Sequence, residues 1–112
     1  MNLEYEIAPA EAARRIRGGE KLHLIDVREP YEYELAHLDS SRLIPMNTVP
    51  ARLQELEALA DEAPLVVVCH HGIRSLNVVS WLRQQGLEPC QSLAGGIDRW
   101  SLEIDAAVPR YS

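Results

Sequence analysis

The stretch Leu65-Val-Val-Val-Cys-His-His-Gly-Ile-Arg-Ser75 decides the fold of this 112-residue chain. Its first five residues are apolar and mostly β-branched, and they follow a proline. A strand that is apolar at every position has no solvent face, which predicts a central strand of a parallel sheet covered by helices on both sides. The residues after Cys69 form a glycine-containing loop that leads into a helical pattern from Ser75 to Gln85.

Short apolar runs alternate with amphipathic stretches along the rest of the chain. This alternation predicts an α/β, three-layer sandwich: a five-stranded, mainly parallel sheet with helices on both faces, in a single domain over residues 1–112. The predicted strands are Tyr5–Ile7, Leu22–Val27, Leu43–Ile44, Leu65–Cys69 and Cys90–Leu93. The predicted helices begin at Pro9, Pro30, Pro50, Ser75 and Ile97.

Charge and cysteine content narrow the function classes. The formal net charge is −6, from 17 acidic and 11 basic residues, so a general affinity for nucleic acid or for anionic membranes is not expected. We find neither a signal peptide nor an apolar run near the ~18 residues of a membrane span. Two cysteines do not make a disulfide framework, which favours a reducing compartment. We therefore expect a soluble, cytoplasmic protein.

Cys69 stands where chemistry is expected, because ligands bind at the carboxyl ends of the strands in sheets of this kind. The start of the following helix, the loop amides and the charge of Arg74 would all favour an anion, here the nucleophilic thiolate. The alternative is that Cys69 is a buried packing residue, as many free cysteines are. A loop with Gly72, Arg74 and Ser75 directly after the cysteine favours the nucleophile.

The spacing within the loop indicates which chemistry Cys69 performs. Four residues, His70–Ile73, separate Cys69 from Arg74, whereas cysteine-dependent phosphatases have five between cysteine and arginine. The smaller loop suits one added sulfur atom better than a phosphoryl group, which disfavours a phosphatase or an arsenate reductase. We therefore predict that Cys69 attacks a sulfane sulfur, holds it as a persulfide and passes it to a soft nucleophile.

Three segments resemble the signatures of the single-domain rhodanese (thiosulfate sulfurtransferase-like) family. They are Leu24-Ile-Asp-Val-Arg-Glu-Pro30, Cys69-His-His-Gly-Ile-Arg-Ser75, and Leu93-Ala-Gly-Gly-Ile97 followed by Trp100. The resemblance implies a five-stranded parallel sheet, with Cys69 as the sulfur-carrying residue and Arg74 as the anion-binding side chain. The implied reaction moves sulfur from thiosulfate or a similar small anion to cyanide, a dithiol or a protein acceptor. The alternative is a persulfide carrier or interaction module that a partner desulfurase loads.

The sequence departs from the family pattern after the first signature. Where the family usually shows Gly-His-Ile and then Gly-Ala, this chain has Ala36-His37-Leu38 and Ser40-Ser41. The lost glycines affect turn geometry beside the site rather than the chemistry itself. The retained His37 is predicted to hydrogen-bond Asp26 and so to fix the exit of the second strand.

The remaining candidate residues are assigned to supporting roles. Asp26 and Arg28 are interpreted as structural organisers at a strand end, and Glu29 and Glu32 as solvent-facing residues or partners of Arg28. The candidate substrate-binding loop comprises His70, His71, Gly72, Ile73, Arg74 and Ser75.

Its two histidines are expected mainly to supply backbone amides while their side chains point to water; as an alternative, the imidazoles line the substrate mouth and respond to pH. No cofactor is expected, and no metal site at Cys69, His70 and His71, since adjacent residues seldom ligate one zinc ion. Cys90 is interpreted as a packing residue rather than a resolving thiol, and Trp81 and Trp100 as core residues.

Overall fold

Five parallel strands form the centre of the molecule. The structure is a computed structural model that describes residues 4–112. The strand order is β1-β5-β4-β2-β3, and every neighbouring pair in the sheet is parallel. The strands are β1 (Glu6–Ile7), β2 (His23–Asp26), β3 (Arg42–Leu43), β4 (Leu65–Val68) and β5 (Cys90–Leu93).

Helices cover both faces of this sheet. Prolines occupy the first position of the first two, where the missing backbone N–H costs nothing. Short 3₁₀ turns, Met46–Thr48 and Pro50–Arg52, precede the third. The helices are α1 (Pro9–Arg17), α2 (Pro30–Leu35), α3 (Leu53–Glu62), α4 (Ile73–Gln84) and α5 (Gly96–Glu103). None of them, among residues 4–112, is both long and apolar enough to cross a membrane.

Two apolar clusters lie on opposite faces of β4, which confirms the prediction of a central, doubly covered strand. Leu65 and Val67 pack into a cluster with side chains of α3 and α4. Val66 and Val68 pack into a second cluster with side chains of α1 and α5. The predicted fold class is therefore confirmed. The two tryptophans are half-buried at the edges of these clusters rather than at their centres.

The predicted boundaries differ most from the observed ones at two helix starts: α3 begins at Leu53 rather than Pro50, because Pro50–Arg52 form a 3₁₀ turn, and α4 begins earlier than predicted. The helix begins at Ile73, two residues before the predicted Ser75. Gly72 adopts φ 97°, a left-handed conformation that turns the chain into the helix early and that side chains disfavour. As a result, Arg74 and Ser75 belong to the first helical turn, whose N–H groups have no partner within the helix.

The replaced family glycines have unequal consequences. Ala36 has φ −167°, an extended conformation open to any residue, and its side chain is buried. Ser40 has φ 65°, the left-handed region, and among residues 4–112 it is the one non-glycine residue with positive φ. The departure from the family pattern therefore strains the backbone at Ser40 and leaves Ala36 relaxed.

Candidate active site

The thiol of Cys69 is enclosed by hydrogen-bond donors from the start of α4. Cys69 directly follows β4 and is 1% exposed. The backbone N–H groups of Gly72 and Ser75 donate to its Sγ at 3.0 and 3.3 Å. The Ser75 hydroxyl oxygen lies 3.2 Å from the same sulfur. Donors converging on one atom at a helix N-terminus stabilise negative charge there, as the sequence predicted.

A second serine extends this arrangement. The hydroxyl oxygens of Ser75 and Ser92 are 2.7 Å apart, and both residues are fully buried. Each hydroxyl carries a single proton, so donation from Ser92 to Ser75 leaves the Ser75 proton for the sulfur. Sequence reasoning missed Ser92. Its signal was a small polar residue near the carboxyl end of β5, the strand beside β4.

The first turn of α5 holds the active-site loop in place through the loop's carbonyl oxygens. The N–H groups of Ile97 and Asp98 donate to the carbonyl oxygens of Cys69 and His70 at 2.8 and 3.1 Å. Gly96, at φ 65°, lies so close that a methyl group there would collide with these same two oxygens. Gly96 is therefore required for the position of the active-site loop as well as for the turn in which it lies.

Arg74 is paired with a carboxylate that the sequence did not place beside it. Its two terminal nitrogens donate to Glu32 Oε1 and Oε2 at 2.7 and 2.9 Å. The expectation that Glu32 faces solvent or pairs with Arg28 is wrong, because its side chain is 5% exposed and its carboxylate binds Arg74. Hydrogen bonds from Arg74 lower the pKa of Glu32 to about 2, and the carboxylate raises the pKa of Arg74. Arg74 is thus charged, oriented and electrically balanced.

Tyr111 completes this network from the far end of the chain. Its hydroxyl donates to Glu32 Oε2 at 2.7 Å and accepts from Arg28 Nη1 at 2.9 Å. Its ring stacks on the His70 imidazole, with centroids 3.9 Å apart and planes 9° apart. Burial is the largest influence on the Tyr111 hydroxyl and raises its pKa to about 12. No pattern in the sequence marked Tyr111, which lies outside all three signatures.

Asp26 and Arg28 form a fully buried ion pair next to this network. Arg28 Nε donates to Asp26 Oδ1 at 2.9 Å and Nη2 donates to Oδ2 at 2.7 Å. The same Nη2 donates to the carbonyl of Ala36 at 2.6 Å, which ties the end of β2 to the end of α2. These contacts support the interpretation of both residues as organisers rather than reacting groups.

The predicted hydrogen bond between His37 and Asp26 is wrong. His37 is exposed, its Nδ1 lies 2.8 Å from the carbonyl oxygen of Tyr33, and its ring stacks on that tyrosine at 4.1 Å. Both carboxylate oxygens of Asp26 are bound by Arg28 instead. A buried guanidinium with five N–H donors satisfies that carboxylate more completely than one imidazole could.

The two loop histidines differ in environment. His71 is exposed, with Nδ1 4.0 Å from Asp98 Oδ2, as expected for a side chain pointing to water. His70 is half-buried under Tyr111, and its Nε2 lies 2.9 Å from the Tyr111 carbonyl oxygen, so the solvent-facing expectation is wrong for it. Burial and the neighbouring His71 lower the pKa of His70. Within residues 4–112, no group of three or more His, Cys, Asp or Glu side chains is arranged to hold a metal ion.

Ile73 and Cys90 lie at opposite extremes of exposure. Ile73, at the tip of the loop, is 72% exposed. Cys90 is 2% exposed in the core, and its pKa is raised by burial. Cys90 pairs in register with Leu65, four residues before Cys69, or about 13 Å along the sheet. That separation supports packing rather than resolution of a Cys69 adduct.

The fold agrees with comparisons to known proteins. The sequence model described as "Rhodanese-like domain" matches residues 8–103. The chain belongs to the rhodanese-like domain family. This rhodanese-like domain is 38% identical over 95 residues to "Thiosulfate sulfurtransferase GlpE" of Pseudomonas paraeruginosa, covering 84% of this chain and 81% of that protein. The family assignment makes the chain a member of a sulfurtransferase family.

Two further likenesses of the rhodanese-like domain are to a longer protein and to one of similar length. It is 30% identical over 105 residues to "Probable adenylyltransferase/sulfurtransferase MoeZ" of Mycobacterium tuberculosis, covering 94% of this chain and 26% of that protein. The chain spans about a quarter to a third of the length of several curated relatives, MoeZ among them. The crystal structure of SSP1007 from Staphylococcus saprophyticus superposes with a TM-score of 0.78 at 25% identity, covering 95% of this chain and 99% of that one.

Proposed function

We propose that this protein transfers sulfane sulfur from thiosulfate, or a similar small anion, to a thiophilic acceptor such as cyanide or a dithiol, with Cys69 as the carrier. One observation carries the proposal: two amide N–H groups and a buried serine hydroxyl converge on the Cys69 sulfur. The likeness to a protein named thiosulfate sulfurtransferase supports thiosulfate as the donor.

In the first half-reaction, the Cys69 thiolate attacks the outer sulfur of thiosulfate. The new S–S bond forms as the sulfur–sulfur bond of thiosulfate breaks, and the bonding pair leaves with sulfite. Cys69 then carries a persulfide anion, and no external oxidant or reductant is consumed. The donors that surround the thiolate stabilise this anion as well, which slows its loss to water.

In the second half-reaction, the acceptor attacks the outer sulfur of the persulfide. With cyanide, a carbon–sulfur bond forms, the S–S bond of the persulfide breaks, and its electron pair returns to Cys69 as the thiolate. Thiocyanate leaves, and the enzyme is regenerated. Two separate chemical steps through one covalent intermediate predict double-displacement kinetics.

Arg74 supplies the positive charge for an anionic donor in this scheme. The guanidinium carries five N–H donors, of which Glu32 engages two, and the side chain is 32% exposed. The remaining N–H groups are available to a donor anion. Since Glu32 cancels much of the net charge, we expect only modest thiosulfate affinity, determined more by orientation than by attraction.

A persulfide carrier is the second candidate function. MoeZ, a protein about four times longer than the matched region, is named both adenylyltransferase and sulfurtransferase. Because a domain of this family occurs in one protein together with a second activity, the likeness favours a protein as sulfur donor or acceptor. The exposed Ile73 at the loop tip offers apolar surface beside Cys69 for such a protein contact. We propose the cytoplasm as the compartment for either function, since both cysteines are unpaired.

Treatment of the purified protein with thiosulfate, followed by mass spectrometry, tests the proposal. We expect a mass increase of one sulfur atom on Cys69 that a dithiol removes, and thiocyanate formation when cyanide is added. Cys69→Ser must abolish both, while Cys90→Ala must retain both. Absence of the adduct with thiosulfate, together with loading by a cysteine desulfurase, would establish the carrier. Absence under both conditions would exclude the persulfide mechanism.

A further inference from the structure

The segment from Val108 to Tyr111 crosses the active site, although it lies beyond the residues that the family model matches. Ser101 Oγ donates to the carbonyl oxygen of Val108 at 2.6 Å. Arg110 Nε donates to Asp98 Oδ1 at 2.8 Å. The segment is therefore tied to α5 at two points before it reaches the loop, which fixes the position of Tyr111.

Tyr111 contacts the loop system at both ends. At one end its ring and carbonyl oxygen hold His70, the residue directly after Cys69. At the other end its hydroxyl binds the carboxylate of Glu32, which binds Arg74 in the first turn of α4. Tyr111 thus contacts His70 directly and Arg74 through Glu32, on either side of Gly72, whose amide binds the Cys69 sulfur.

We propose that Tyr111 is a positioning residue of the active site, acting on Arg74 through Glu32 and on the start of the loop through His70. Its role in sulfur transfer rests on the function proposed above. Its effect on the reactivity of Cys69 does not rest on that function, because alkylation of the thiol depends on the geometry of the loop whether or not the protein transfers sulfur.

The hydroxyl is one of the donors that hold the Glu32 carboxylate in place, and the N–H of Glu29 donates to Glu32 Oε1 at 3.1 Å. Glu32 Oε2 receives hydrogen bonds from both Tyr111 and Arg74, and the Tyr111 oxygen in turn receives one from Arg28. Without the hydroxyl, Glu32 Oε2 loses a donor and Arg28 Nη1 loses an acceptor. The carboxylate can then rotate and carry Arg74 with it, so the guanidinium no longer presents its free N–H groups in one direction. Capture of an anionic reagent at Cys69 should weaken.

The ring determines where the loop begins. Stacking against Tyr111 restrains the His70 side chain, and the hydrogen bond to the Tyr111 carbonyl restrains it further. Loss of the ring frees the residue between Cys69 and the amides of Gly72 and Ser75. Those amides then aim less accurately at the sulfur, which disfavours the thiolate.

Alkylation of Cys69 by two reagents of different charge separates these effects. Rates with anionic iodoacetate and neutral iodoacetamide are measured across pH for the wild type, Tyr111→Phe and Tyr111→Leu. Tyr31→Phe is the matched control, because Tyr31 is 64% exposed and lies outside the network. Glu32→Gln, alone and combined with Tyr111→Phe, tests whether the hydroxyl acts through Glu32. Thermal unfolding of each variant identifies the folded population.

We expect Tyr111→Phe to lower the iodoacetate-to-iodoacetamide rate ratio by about three- to tenfold, less than the full effect of a hydrogen bond to a charged group because Tyr111 acts on Arg74 through Glu32. The ratio should not fall further when Tyr111→Phe is added to Glu32→Gln. Tyr111→Leu should in addition slow alkylation by neutral iodoacetamide by about threefold relative to Tyr111→Phe. Should Tyr111→Leu fail to fold, Tyr111→Phe alone decides the proposal.

Three results would overturn the proposal: a rate ratio in Tyr111→Phe within twofold of that in Tyr31→Phe, an equal fall in the ratio with and without the Glu32 carboxylate, or an iodoacetamide rate of folded Tyr111→Leu equal to that of Tyr111→Phe. With thiosulfate as substrate, Tyr111→Phe should raise KM by the same factor and leave kcat within twofold. If the wild type shows no turnover with thiosulfate, the donor proposal fails, while the alkylation rates still decide the role of Tyr111.

Discussion

Glu32 and Arg74 lie 42 residues apart in the chain, yet the carboxylate of one receives both terminal nitrogens of the other, at 2.7 and 2.9 Å. The cation of the active-site loop is therefore oriented by a residue of α2. This pairing leads to the first prediction.

The Glu32 carboxylate should make folding stability depend on pH in the acid range. Its pKa falls from 4.5 to about 2 on folding, so its contribution is complete above about pH 4.5 and is lost as the pH falls toward 2. The shift corresponds to about 2–4 kcal/mol. Glu32→Gln should therefore be less stable than the wild type at pH 7, and the difference should shrink steadily below pH 4.5. Urea unfolding at several pH values measures both; parallel curves would contradict the assignment.

The Arg28 guanidinium should be irreplaceable by lysine. It is fully buried and binds both oxygens of Asp26, the carbonyl of Ala36 and the hydroxyl of Tyr111. An ammonium group cannot reach these partners at once, so Arg28→Lys should lower the free energy of unfolding by about 3–5 kcal/mol. Arg42→Lys is the control, because its ion pair with Glu55 is exposed and worth under ~1 kcal/mol. Similar losses in the two variants would refute this account.

A methyl group at Gly96 should disrupt the active-site loop. Gly96 and Gly19 both have positive φ, but only at Gly96 would the added carbon collide with carbonyl oxygens, those of Cys69 and His70. Both alanine variants carry the backbone strain of about 1 kcal/mol. Gly96→Ala should lose substantially more stability and also slow alkylation of Cys69, whereas Gly19→Ala should alkylate at the wild-type rate. Equal behaviour of the two would show that the close approach is unimportant.

The Ser75 hydroxyl should contribute to the reactivity of Cys69. It lies 3.2 Å from the sulfur and 2.7 Å from Ser92 Oγ, in a site without solvent. Ser75→Ala removes this donor but keeps both amide donors, so alkylation at neutral pH should slow by about three- to tenfold. Ser92→Ala should give a smaller decrease in the same direction, because Ser75 then loses the donor that supports it. A wild-type rate in Ser75→Ala would exclude the hydroxyl from the site.

Glycine at position 40 should stabilise the protein. Ser40 is held at φ 65°, where a side chain costs roughly 1–2 kcal/mol and glycine does not. Ser40→Gly should therefore raise the unfolding free energy by about 0.5–1 kcal/mol, after the entropy cost of glycine in the unfolded chain. Thermal unfolding measures the gain. Ser41→Gly, at a neighbouring position with ordinary φ, should destabilise instead.

The sheet and the position of the reactive loop could be predicted because both are recorded locally. An unbroken apolar run such as Leu65–Val68 admits few structures other than a doubly covered strand. A cysteine at its carboxyl end, followed by Gly72 and a helix, places an anion site by backbone geometry alone. Strand Cys90–Leu93 was also predicted with its observed ends, although it contains two polar residues.

The charge network could not be predicted, because its members come together only in three dimensions. Glu32 lies on the same short helix as exposed residues, and nothing in its neighbours marks it as buried. Tyr111 is remote from every signature, and its place depends on the path of the chain after α5. The error at His37 has the same origin: a histidine near Asp26 in sequence was given a contact that the buried Arg28 makes instead.

The burial of Cys69 has different consequences for the donor and for the acceptor in the proposed sulfur transfer. The sulfur of Cys69 lies at the bottom of the loop, and the core lies on its other side. A donor must therefore be narrow enough for its terminal atom to reach the amides of the loop. In the proposed reaction, the outer sulfur of a persulfide would lie about 2 Å beyond Sγ. The proposed function therefore predicts that the loading step favours narrow donors, while the unloading step accepts bulkier acceptors.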